Sequence, residues 1–214
     1  MAGLGVAGGA VVSGSFQGVD QTYLAAALAA LGPTFVGVTQ IPGDTADAEI
    51  RRLDAMGVRA VRFNIRRGGS ADISDLDRLA RRVHDLAGWH TELYIDASEL
   101  PPLYPVLSRL PRISIDHLGL SAQGLPHLLR LVETGAYVKA TGFGRIDVDR
   151  AAAMNRILAI NPQALVFGTD LPSTRAARAF TDSDLTSLPD LIDPRHIDDV
   201  LWHNGTRLYG VTPP

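Results

Sequence analysis

The chain has no cysteine. That excludes disulfides and any thiolate metal site, so a metal could be held only by His, Asp or Glu. Lysine is nearly as scarce. Lys139 is the single one, and the other basic residues are arginines, which grip carboxylates through two parallel hydrogen bonds. Also lacking is any apolar stretch long enough to span a bilayer. The apolar N-terminus, Met1 to Gly9, has no basic region and is rich in glycine, so it does not read as a signal peptide. No basic stripe interleaves with aromatics and the formal net charge is −3. Neither nucleic acid nor a membrane is an expected partner.

What is present is an ordinary globular balance. The 214 residues are 46% hydrophobic and 20% charged, enough for one α/β domain with a sizeable core. A cytoplasmic enzyme-like domain over residues 1–214 is the expectation. Short β-type runs alternate with longer helical segments. The strands read as 10–16, 35–40, 60–64, 92–96, 113–116, 136–141 and 164–168. Asp20 is placed to cap a helix over 21–31, Asp44 or Thr45 one over 46–56, and Ser74 one over 75–86. In that last segment Leu76, Leu79, Val83 and Leu86 recur at helical spacing. Gly32, Gly57 and Gly88 follow as C-terminal caps. Strict β-α alternation predicts a parallel sheet with right-handed crossovers. Seven β-α units are counted, where a full (β/α)8 barrel has eight in about 250 residues. The missing unit would precede Met1.

Chemistry-bearing residues collect at the carboxyl ends of these strands, where α/β folds bind ligands. Ile113-Ser-Ile-Asp-His117 ends on a histidine, and Leu165-Val-Phe-Gly-Thr-Asp170 on an aspartate. In 60–64, Val61 and Phe63 share one face and Arg62 and Asn64 the other. A guanidinium on the interior face calls for a carboxylate partner or an anionic ligand. Glu92, Tyr94 and Asp96 likewise point inward. Thr141-Gly-Phe-Gly-Arg145 is a glycine-rich loop carrying an arginine just past a strand, and Arg66 and Arg67 begin another loop on the same rim. An Asp and a His among arginines suggest hydrolysis of an anionic substrate, with Asp170 taking a proton from water.

Blander readings stand beside these. His117 could be a hydrogen-bonded rim histidine, Asp170 a cap for the next helix, and Arg62 a structural partner of Glu92. Arg145 could be a solvated loop charge and Tyr94 a barrel filler. His84, His127 and His196 read as surface residues. His90 lies at the wrong strand end for chemistry, and His203, Trp89 and Trp202 read as packing residues.

In order and spacing, Val61-Arg-Phe-Asn64, Ile115-Asp-His-Leu-Gly119, Val138-Lys-Ala-Thr-Gly142, Phe167-Gly-Thr-Asp-Leu-Pro172 and Asn204-Gly-Thr-Arg-Leu-Tyr-Gly210 resemble the amidohydrolase-related (amidohydrolase 2) branch of the amidohydrolase superfamily. That branch includes 2-pyrone-4,6-dicarboxylate lactonases, and the resemblance covers nearly the whole chain. It implies a (β/α)8 TIM barrel of amidohydrolase type without its first strand. It implies Asp170 as general base and His117 as active-site histidine. Arg62, Tyr94, Arg145 and, more weakly, Arg67 are implied to bind the carboxylates of a small anionic substrate or polarise its carbonyl. If a divalent metal such as Zn or Mn is bound, His117 and Asp170 are its implied ligands.

The chain departs from the family in having no His-x-His, and Lys139 is not on the family's metal-bridging strand. Three readings therefore stay open: a lactone or cyclic-ester hydrolase, an inactive barrel keeping only a binding rim, and a metal-dependent decarboxylase. Seven strands would also leave two unpaired edges. A second copy of the chain or a rearranged segment is expected to cover that gap, or the fold to be less stable than its relatives.

Overall fold

The computed structural model describes residues 3–211. Seven parallel strands follow one another in chain order, matching the seven units counted in the sequence. Contacts divide the chain into two compact units. The first takes in the described residues up to Tyr94, Leu110–Ile113 and the described residues from Tyr209 onward. The second takes in Ile95–Arg109 and Ser114–Leu208.

In the first unit β1 (Gly9–Val12), α1 (Thr22–Leu31), β2 (Phe35–Thr39), α2 (Asp47–Ala55), β3 (Val58–Phe63), α3 (Leu76–Ala87) and β4 (His90–Leu93) succeed one another. β1 pairs with β2 through Val12 and Val38, and β3 with β4 through Arg62 and Glu92. The alternation read from 60–64 holds, with Val61 and Phe63 wholly buried and Arg62 in register with Glu92. The helical stripe of α3 is equally direct: Leu76, Leu79, Ala80 and Val83 face the core, and Gly88 ends the helix in the left-handed region at φ 69°.

Helix starts differ from the sequence reading. Asp20 does accept the Thr22 N–H, at 2.9 Å. Neither Asp44 nor Thr45 caps α2, which starts after Ala46 without a side-chain cap. Before α3 the cap is Asp72 rather than Ser74. Its carboxylate accepts from the Ser74 hydroxyl at 2.6 Å and N–H at 2.8 Å, opening a 3-10 turn over 73–75 that runs into the helix. Those two hydrogen bonds hold the Asp72 carboxyl below its ordinary pKa. Trp89 packs as expected, buried, with its indole N–H on Asp54 Oδ1 at 3.0 Å.

The second unit holds α4 (Tyr104–Leu107), β5 (Ile113–Ile115, from Ser114 onward), α5 (Leu125–Val132), β6 (Tyr137–Ala140), α6 (Arg150–Ile160), β7 (Leu165–Phe167), α7 (Asp182–Thr186), α8 (Leu188–Leu191) and all but the last residue of α9 (Asn204–Tyr209). Ile115 pairs with Val138, and Lys139 and Ala140 with Val166 and Phe167. Leu128, Leu131, Met154 and Ile157 bury the faces of α5 and α6. Asp149 caps α6 by accepting the Ala152 N–H at 2.8 Å. Among the described residues no helix is long and apolar enough to cross a membrane.

Candidate active site

The first unit gathers Arg62, Tyr94 and Arg67 near the ends of β3 and β4. Arg62, 7% exposed, donates from Nη1 to the Ser13 carbonyl at 2.7 Å. Its guanidinium lies 5.1 Å from the centre of the Tyr94 ring, a stacking geometry that arginine favours. The Tyr94 N–H bonds to the Phe63 carbonyl, and its carbonyl accepts from Arg66 N–H at 3.0 Å. Arg67 is exposed and reaches the Tyr94 hydroxyl at 3.5 Å.

Gln40 braces the surrounding loops. Its side-chain amide donates to the carbonyls of Gly14, Gly18 and Gly69 at 2.9–3.2 Å. Tyr23 meets the Ser13 hydroxyl. Burial pushes its phenol pKa up, while the Ser13 hydrogen bond and the Arg62 charge pull it back. His90 is at the far end of β4 from this cluster, as its position in the sequence implied. It is buried, with Nε2 3.1 Å from Glu92 Oε1, which also accepts from the Tyr209 hydroxyl at 2.9 Å.

The second unit gathers His117, Arg145 and Asp170. His117 follows β5 at the start of a tight 3-10 turn. Residues 117–120 all have positive φ, from 50° to 72°. Three of the four are not glycine, so the turn carries backbone strain on the order of 1 kcal/mol per such residue. Hydrogen bonds from Gly119 N–H to the Asp116 carbonyl and from Leu120 N–H to the His117 carbonyl hold it, at 3.0 and 2.9 Å. The imidazole is buried, with Nδ1 2.7 Å from Thr141 Oγ1. One residue back, the Asp116 carboxylate faces the Lys139 ammonium at 3.4 Å, both nearly inaccessible. That pairing accounts for a lysine inside a strand.

Asp170 follows β7, also with positive φ, at 57°. Its carbonyl accepts both the N–H and the hydroxyl of Ser173, at 2.6 and 3.1 Å, and the Ser173 hydroxyl accepts the Phe180 N–H. Its carboxylate meets Arg145 Nε at 2.7 Å, with the two side chains 16% and 10% exposed. Arg145 also donates from Nη2 to the Thr174 carbonyl at 3.0 Å. Arg145 is therefore not a solvated loop charge but the residue that holds the Asp170 carboxylate. Between His117 and Arg145 stands Gly142, at φ 58°. A Cβ there would lie 2.6 Å from His117 Nδ1 and 3.1 Å from Arg145 Cδ. His117 and Arg145 thus meet around one glycine, and Arg145 in turn holds Asp170. Thr141 was missed as a partner of His117, although the run Lys-Ala-Thr-Gly marked its strand end.

His117 and Asp170 do not make a metal site with other protein donors. Among the described residues no group of three His, Cys, Asp or Glu is placed to hold an ion. The Asp170 carboxylate is taken by Arg145 and His117 Nδ1 by Thr141. This donor set does not fit the roughly three protein ligands of a catalytic zinc site.

A family model for amidohydrolases matches residues 1–211. A 2-pyrone-4,6-dicarboxylate hydrolase of Comamonas testosteroni is 34% identical over 119 residues, covering 54% of this chain and 39% of that protein. A D-galactarolactone isomerase of Agrobacterium fabrum is 26% identical over 189 residues, covering 80% of this chain and 64% of the relative. The chain thus spans less than two thirds of the length of either relative. Among solved structures, a Pseudomonas putida protein provisionally assigned as a 2-pyrone-4,6-dicarboxylic acid hydrolase superposes with a TM-score of 0.83 at 26% identity. The match covers 98% of this chain and 84% of that one. The amidohydrolase-type β/α architecture expected from the sequence is borne out in its seven units.

Proposed function

The chain belongs to the amidohydrolase family, and from that premise we propose that it is a hydrolase that opens a small lactone bearing carboxylate groups. The carrying observation is the Arg145–Asp170 pair at 2.7 Å, whose arginine lies beside the same glycine as His117. The names of the two curated relatives, one a hydrolase and one an isomerase, support the substrate class, since each names a cyclic ester that carries carboxylate.

In this reading Arg145 fixes Asp170 through Oδ2, and Oδ1 is offered to a water molecule. As the water oxygen adds to the lactone carbonyl, Asp170 takes its proton. His117 donates a hydrogen bond to the oxyanion that develops. The ring C–O bond then breaks, and the departing oxygen recovers the proton held by Asp170. The products are a carboxylic acid, which releases its proton to solvent, and a hydroxyl or its keto form. Strained backbone at both His117 and Asp170 suits a site whose groups must be held in place before substrate arrives. Within the first unit, Arg62, Arg67 and Tyr94 have the chemistry to hold a carboxylate. No step uses a metal, and the decarboxylase reading loses ground because the donor set does not fit one.

The test is ring opening followed by acid release in a pH-stat. Two carboxylated lactones, 2-pyrone-4,6-dicarboxylate and galactarolactone, are compared with an uncharged lactone of similar size. Opening of a carboxylated lactone in preference to the uncharged one is expected. Failure to open any of them would leave the inactive-barrel reading in its place.

A further inference from the structure

The two nitrogens of His117 differ in what they can do, and the surroundings of Nδ1 decide between them. Thr141 Oγ1, 2.7 Å away, could donate a proton to Nδ1 or accept one from it. If it accepted, the hydroxyl proton of Thr141 would need an acceptor of its own. Thr141 is 8% exposed, and among the described residues its hydroxyl has no second hydrogen bond. A buried hydroxyl proton without a partner is costly. We propose that Thr141 is the positioning residue for His117: its hydroxyl donates to Nδ1 and holds the neutral imidazole with its proton on Nε2. This rests on the lactonase reading only for its consequence, namely that Nε2–H becomes the hydrogen-bond donor to the developing oxyanion.

Two neighbours support the arrangement. Gly168 leaves room for the Thr141 methyl group, since a Cβ at Gly168 would sit 2.8 Å from Thr141 Cγ2. That seat fixes the rotamer of a side chain already stiff at χ1, aiming Oγ1 at the ring. Gly142 lets the loop backbone close over the Nδ1 edge.

The protonation pattern can be read directly in a two-dimensional spectrum of protein labelled with 15N in the histidine rings. The His117 signals are assigned by their loss in His117→Gln. At neutral pH the parent is expected to show His117 with Nε2 protonated and Nδ1 bare. Thr141→Val, equal in shape but without the hydroxyl, is expected to mix the two tautomers, and Thr141→Ser to restore the parent pattern. If a lactone is opened, Thr141→Val should lower kcat about 10–100-fold with KM nearly unchanged, and serine should recover most of it. A proton on Nδ1 in the parent, or an unchanged spectrum in the valine variant, overturns the assignment. A protein that opens no lactone but shows the expected spectrum overturns the lactonase reading alone.

Discussion

Replacing Gly142 with alanine separates the two demands that glycine meets in this loop. One is conformational: at φ 58° an alanine costs ~1–2 kcal/mol relative to glycine. The other is space. The new Cβ would lie 2.6 Å from His117 Nδ1, where ordinary contact begins at 3.4 Å. The imidazole or the loop must therefore shift by about 0.8 Å. Gly88 is the matched control. Its φ is 69°, close to that of Gly142, but a Cβ there meets nothing within 4 Å. Both alanine variants should melt lower by about 2–8 °C, taking about 2–4 °C per kcal/mol for a chain of this size. Only Gly142→Ala should also lose activity. A displacement approaching 1 Å costs about 10²-fold, so kcat/KM should fall about 10–100-fold. Melting curves and initial rates of lactone opening on the three proteins make the comparison. Equal activity losses in the two variants, or none in Gly142→Ala, would refute the view that Gly142 sets the approach of His117 and Arg145.

Arg145→Lys keeps the charge but loses the contacts to Asp170 and the Thr174 carbonyl. A drop in kcat/KM of about 10–100-fold is expected, matching the loss of about 1.5–3 kcal/mol for a charged hydrogen bond. Asp184 tests the pH dependence of stability. Burial alone would raise its pKa, but the Arg178 fork, the Thr181 N–H and the charges of Arg178 and Arg150 outweigh it and leave the pKa below the ordinary 3.8. A carboxyl with a depressed folded pKa stabilises the protein above its unfolded value, and the gain is lost as pH falls below 3.8 toward the folded value. Asp184→Asn should therefore cost about 1–3 kcal/mol at neutral pH. Melting curves of parent and variant should converge as the solution is acidified through that window. Because the described donors do not assemble a three-ligand site, dialysis against a chelator should leave the rate of lactone opening unchanged.

The parts of the molecule legible in its sequence are those set by local periodicity. Alternation in β3 placed Arg62 opposite the wholly buried Val61 and Phe63, and the spacing of Leu76, Leu79 and Val83 placed the buried face of α3. Strand limits were less legible. The Glu92–Asp96 run becomes β4 at His90–Leu93, starting two residues earlier and ending three earlier, because the Asp96 carboxylate instead accepts from the Ser98 N–H and hydroxyl and opens a 3-10 turn. Asp72 likewise displaces Ser74 as a cap, since the Asx turn it closes leaves no mark on apolar spacing. For the site, strand-end position singled out His117 and Asp170, but not what holds them. Thr141 lies 24 residues from His117, and Arg145 lies 25 from Asp170. Pairings at that separation follow from the register of β5, β6 and β7, which no local pattern encodes. Nor did composition announce the left-handed backbone at 117–120 and 170, where two of the residues, Leu118 and Leu120, are of a kind that ordinarily avoids it.

The claim that Asp170 activates water is tested most directly by kcat/KM for a carboxylated lactone in the parent and in Asp170→Asn, which keeps the size of the side chain and removes its basicity. A fall of about 10²–10⁴-fold with an unaltered fold by circular dichroism is the predicted result. An asparagine variant that opens the lactone within a few-fold of the parent rate would contradict it.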